Sequence, residues 1–140
     1  MNDDSLKHIP EELLTEHLEL SERLAELQKK ETVQTNFLPF VKTMWSDFIE
    51  GEHHRIMAKA FDRIASGELK RLIINMPPRH TKSEFASYMF PAYLVGKKPG
   101  LKIIQATHTA DLAVRFGRKI RDLVDSKEYQ DIFPNVELNP

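Results

Sequence analysis

The spacing of apolar residues along this chain alternates between a helical period and short unbroken runs. Leu13, Leu20 and Leu27 follow Leu6 at seven-residue intervals, and Leu24 completes a seam. This pattern predicts a helix with one apolar stripe over residues 10–31. Pro10 suits a first helical position, and Glu11 and Glu12 complement the helix dipole. Glu16 and His17 interrupt the heptad. The stripe therefore fits packing on its own domain or a neighbour better than a self-associating coiled coil, which wants about three to four full heptads.

Residues 32–39 read as a connector, and 40–50 as a short helix ended by Gly51. Residues 53–65 form a further helix, with Ile56, Met57, Ala60, Phe61 and Ile64 as its apolar face and Gly67 as its stop. The pattern then changes. In 69–76 the run Leu72-Ile73-Ile74 is continuous, as in a strand buried on both faces of a parallel sheet, and Pro77-Pro78 ends it. Residues 82–95 are apolar nearly all round, which predicts a buried helix that Pro91 kinks or ends. A second strand is predicted over 101–107 around Ile103 and Ile104, after the turn Lys98-Pro99-Gly100. Residues 110–124 form a helix with Leu112, Ala113, Phe116, Ile120, Leu123 and Val124 on one face, and 127–140 a short helical turn and loop. Two strands joined by a crossover helix should be parallel and right-handed. The expected fold class is α/β with parallel strands. The expected domains are an N-terminal helical extension, 1–35, and a partial α/β domain, 36–140.

Composition narrows the class without naming a chemistry. The 140 residues are 41% hydrophobic and 29% charged, with a net charge of −1, so the chain is globular and carries no global basic field. It has no cysteine, which excludes disulfides and thiolate metal sites. The N-terminus is acidic where a signal peptide would be basic, and no apolar run is long enough to span a membrane. A cytoplasmic protein is expected.

The most informative stretch joins the first predicted strand to the following helix. Lys82-Ser83 opens that helix, where backbone N–H groups and the dipole favour an anion. In a P-loop the lysine reaches the β- and γ-phosphates and the hydroxyl coordinates Mg²⁺. Measured against G-x-x-x-x-G-K-[ST], Met76 and Thr81 stand where the two glycines belong. A capped, solvated helix terminus is the plainer alternative.

Asn75-Met76-Pro77-Pro78-Arg79-His80-Thr81-Lys82-Ser83-Glu84 resembles the variant Walker A motif of phage terminase large subunits, with Thr81 where the family usually has glycine. The likeness continues from 53 through 71 before the motif, and in 90–97, 105–113 and 116–118 after it, within about residues 36–134. The resemblance implies that 36–140 is a partial P-loop ATPase domain of three-layer P-loop-like fold, with an ATP site using Mg²⁺. Pro78, Arg79, His80, Thr81, Lys82, Ser83 and Glu84 would contact nucleotide, Ser83 would hold the metal, and Lys82 and Arg79 would have the catalytic roles, Arg79 at the γ-phosphate. It further implies an ATPase that drives double-stranded viral DNA into procapsids. The partners would be a portal protein, a small terminase subunit and other copies in a homo-oligomeric ring, with no membrane. The place of action would be the host cytoplasm and, transiently, the procapsid portal. After Thr107 no apolar run ends in paired acidic residues, and Asp122 and Asp125 fall on a helix. The chain is thus read as a piece of such a motor, without its Walker B and nuclease regions, and inactive by itself.

Other constellations are weaker. Adjacent His53 and His54 should point apart on a helix and share no metal. Thr107 and His108 are placed to relay nucleotide state or to cap the next helix. Arg115, Arg118, Lys119 and Arg121 read as a solvated face balanced by Asp111, Asp122 and Asp125, with DNA phosphates as the alternative. Trp45 and Phe48 read as core. Two other functions stay open. One is a helicase-like or kinase-like P-loop enzyme. The other is a non-catalytic interaction module that has lost nucleotide through Met76 and Thr81 and binds a partner through helix 10–31.

Overall fold

Helices make up all the regular structure among the described residues, 10–138, in the computed structural model of the chain. The chain divides into two compact units, one up to Glu31 and one from Thr32. In the first unit, α1 (Glu11–Thr35) begins with Glu11 and Glu12 in its first turn, as its N-terminal charge pattern leads one to expect. Leu13, Leu20, Leu24 and Leu27 are each about half exposed, as are Leu14 and Leu18. Leu6 lies outside the described residues.

In the second unit the last turn of α1 supplies buried Val33, and α2 (Phe37–Met44) follows almost at once. The predicted connector 32–39 is therefore mostly helical. Pro39 does not prevent this, because it falls in the first turn of α2, where a backbone N–H has no intrahelical partner to lose. The freed N–H of Phe37 is instead capped from a distance by Asp62 Oδ1 at 2.8 Å. Asp62 belongs to α3 (Glu52–Ser66), which ends at Gly67 in the left-handed conformation, φ 86°. The buried face of α3 is His54, Met57, Ala58, Phe61 and Ala65. Ile56, expected on that face, is exposed.

Phe37 is the centre of the core, with edge-on contacts to Phe61, Phe85, Phe90 and Tyr93 at ring separations of 5.2–5.5 Å. A helical segment running from Lys82 to Lys97 supplies the last three of these rings. It comprises α4 (Lys82–Glu84), one π-helical turn (Phe85–Met89) and α5 (Phe90–Lys97). Pro91 accounts for the irregularity. It has no N–H for the carbonyl of Ser87, four residues earlier, and the side-chain amide of Gln105 donates to that carbonyl instead at 3.1 Å. Helices α6 (Ala110–Val124) and α7 (Lys127–Ile132) close the core, each capped by a hydroxyl, Thr109 and Ser126 respectively. The buried hydroxyl of Tyr129 donates to the Ala92 carbonyl at 2.7 Å.

The expected α/β fold is not what forms. Segments 69–76 and 101–107 are neither helix nor strand, and no sheet exists among the described residues. A strand is held by its ladder. Here the backbone N–H groups of 70–76 and 102–107 donate to no acceptor among the described residues. The apolar side chains are covered only in part: Ile74 and Met76 pack against the core, but Ile73 is 85% and Ile104 97% exposed. The parallel pair with a crossover helix, and with it the three-layer P-loop-like arrangement, is replaced by helices packed on helices. Among the described residues no helix is long and apolar enough to cross a membrane.

Candidate functional site

The turn between segment 69–76 and α4 carries most of the polar chemistry. Met76, Pro77, Pro78, Arg79, His80, Thr81, Lys82, Ser83 and Glu84 line a single open hollow of about 470 Å³. Two residues shape it. Arg79 and Thr81 both have positive φ, 65° and 54°, while His80 between them does not. Alternating handedness of this kind turns successive backbone N–H groups to one side, which makes a concavity for an anion. Neither residue is glycine, so each left-handed conformation costs on the order of 1–2 kcal/mol. The N–H groups of 79–84 have no acceptor among the described residues.

The side chains divide into those that face the hollow free and those already engaged. The Lys82 ammonium reaches back across the loop to the Met76 carbonyl at 3.2 Å, which keeps its charge over the mouth. Arg79 is exposed and has no ion-pair partner among the described residues, and the Ser83 hydroxyl likewise makes no hydrogen bond there. His80 is tied into the loop through Nδ1 to the Pro78 carbonyl, 2.9 Å. Glu84 is turned to α6, where its carboxylate meets Lys119 at 2.9 Å. Lys119 also sits 4.9 Å over the Tyr88 ring.

Three histidines gather beside the loop, a feature the sequence reading missed. The His53 and His54 rings do not point apart; their centroids lie 3.8 Å from each other, and His53 lies 5.7 Å from His80. Both occupy the first turn of α3, next to Gly51. A Cβ on Gly51 would come within 2.8 Å of the His53 ring, so the missing side chain leaves room for that imidazole. His54 is 5% exposed, and burial followed by the neighbouring His53 holds its pKa below the ordinary imidazole value, against the pull of Glu50. The available signal was the 54-57-58-61-65 spacing, which places His54 on the buried face of α3. Among the described residues no group of three or more histidines and carboxylates is arranged to hold a metal ion.

The remaining candidates lie elsewhere. Thr107 bonds the Thr109 carbonyl through its hydroxyl, 2.6 Å, while Thr109 caps α6; neither Thr107 nor His108 lines the loop hollow. In the basic cluster of α6, Lys119 is paired with Glu84 and Arg121 with Asp122. Trp45 and Phe48 meet with tilted rings at 5.5 Å, and Phe48 packs on His54 and Phe85. No family model matches this chain, and neither a curated protein nor a solved structure matches it.

Proposed function

We propose that the turn at residues 76–84 holds the phosphate chain of Mg-ATP, and that the chain is the ATP-binding part of a viral DNA-packaging motor of the terminase large-subunit kind. The observation that carries the first half is the hollow itself. Unpartnered amides with alternating backbone handedness surround it, and the Lys82 ammonium lies on its rim. Its size falls within the range of small-molecule sites, about 300–1,000 Å³. The donor set fits the group. Backbone N–H groups of Thr81, Lys82 and Ser83 would take phosphate oxygens, Lys82 the outer phosphates, and the free Ser83 hydroxyl the magnesium. Arg79, exposed and without an ion-pair partner among the described residues, would meet the γ-phosphate. His80 and Pro78 shape the loop through their mutual hydrogen bond. Glu84 serves α6 rather than nucleotide.

The second half rests on the motif resemblance around 53–118. In such a motor, ATP hydrolysis would drive double-stranded viral DNA through a portal. A homo-oligomeric ring loaded by a small subunit would act in the host cytoplasm and transiently at the procapsid.

The test is calorimetric titration with Mg-ATP before and after Lys82→Ala. A charge-assisted contact contributes about 1.5–3 kcal/mol, so the variant should bind roughly ten- to a hundredfold more weakly. Unchanged affinity sinks the phosphate role of Lys82. No heat from the parent at millimolar nucleotide favours the non-catalytic interaction module.

A further inference from the structure

Tyrosines aside, His54 is the one buried polar side chain among the described residues, and both its ring nitrogens are engaged. The Gly51 N–H donates to Nδ1 at 2.9 Å, so Nδ1 carries the lone pair and the ring proton sits on Nε2. Nε2 lies 2.5 Å from Thr81 Oγ1 and donates to it. The Thr81 hydroxyl in turn donates to the His80 carbonyl at 2.7 Å. The three bonds run in one direction, from the start of α3 to the turn at 79–81, with each donor matched to an acceptor. Phe48 and Phe85 pack on the imidazole with ring centroids 4.8 Å away, which fixes its rotation. The residue so gripped is one of the two that hold an L side chain at positive φ among the described residues.

We infer that His54 is a positioning residue for the phosphate-binding turn: through the Thr81 hydroxyl it holds residue 81 in the left-handed conformation, supplying from α3 what a glycine would supply by itself. The inference rests on the reading of this turn as the triphosphate site, and gives that site a regulator. The titratable groups around His54 are His53 at 3.8 Å, His80 beyond it, and Glu50, whose carboxylate is engaged by Lys42 and Arg55. The rings of Phe48 and Phe85 face it uncharged. Protonation at Nδ1 would set a second N–H against the Gly51 N–H, and the ring could not keep both partners. The hold on Thr81 is therefore complete above the ordinary imidazole value of about 6.5. As pH falls below that value and through the lowered pKa of His54, the Gly51 anchor is lost and the ring turns, so the hold on Thr81 weakens even though Nε2 keeps its proton.

The test is a double-mutant cycle read by titration of Mg-ATP at about pH 7.5 and by imidazole nitrogen NMR. His54→Phe keeps the packing on Phe48 and Phe85 and removes the donor. It should weaken binding about tenfold with threonine at 81, and less than about twofold in the Thr81→Gly background. His54→Gln, whose amide can donate, should recover most of the loss. Equal weakening in both backgrounds overturns the inference. Should His54→Phe fail to fold, the same cycle is run with His54→Gln against parent below pH 6.5, where only the parent should lose affinity; parallel loss overturns it. NMR of the parent should find the proton on Nε2, and a proton on Nδ1 overturns the inference whether or not nucleotide binds. If the parent binds no Mg-ATP but the loop amides still exchange faster in His54→Phe, the site reading has failed and the hold on Thr81 has not.

Discussion

Phe37 and Ile73 are comparably apolar, yet one sits at the centre of the core and the other is almost wholly in water. The regions around them differ in the same way. Helices α2, α3 and α5 bring Phe37, Phe61, Phe90 and Tyr93 into one aromatic cluster, whereas 69–76 and 101–107 leave Ile73 and Ile104 uncovered. A helix satisfies its backbone within itself, so the side-chain pattern alone decides which face is buried. An extended run satisfies its backbone only through a neighbour. An apolar run in the sequence states what the side chains favour, and does not provide that neighbour.

The contrast can be broken at several points. Phe37→Ala removes the ring that four others share and should cost about 3–5 kcal/mol in denaturant unfolding. A loss under about 1 kcal/mol would mean that the cluster is not the core. Tyr129→Phe leaves the Ala92 carbonyl without its buried donor and should cost about 1–3 kcal/mol by the same measurement, with little change in the slope. Ile73→Lys and Ile104→Lys should each change stability by no more than about 0.5 kcal/mol, as surface substitutions do. A cost comparable to that of Phe37→Ala would show that these segments are covered in solution and would remove the contrast.

The helical parts were largely legible. The 110–124 helix has its predicted bounds because Thr109 is a strong N-cap and its apolar spacing is regular. For α3 the length is readable and Met57 and Phe61 are buried as expected, but the rest of the buried face is His54, Ala58 and Ala65 rather than Ile56, Ala60 and Ile64. Small residues at 58 and 65 allow close approach of neighbouring helices, and hydrophobicity alone undervalues them. Pro39 was read as part of a connector, since its place in a first turn becomes clear only once α2 is known to start at Phe37. The two strand predictions failed because a ladder depends on partners that no local pattern specifies. At the turn itself, the motif points to residues 78–84, and these line one hollow together with Met76 and Pro77. The positive φ of Arg79 and the support of Thr81 by His54 are tertiary facts, and nothing within ten residues of the motif announces them.

The π-helical turn at Phe85–Met89 has a bearing on heredity as well as on packing. An α-helix advances about 100° per residue, and a π turn accommodates one more residue than an α turn. Everything upstream of it is therefore out of phase, by about that angle, with the helix an uninterrupted α-helical path would give. Lys82, Ser83 and Glu84 stand upstream, and Glu84 meets Lys119 only in the present phase. Loss of a single codon between 85 and 89 would leave a smoother helix, yet it would swing the turn that precedes it away from His54 and Lys119. Substitutions in this stretch should be far better tolerated than deletions.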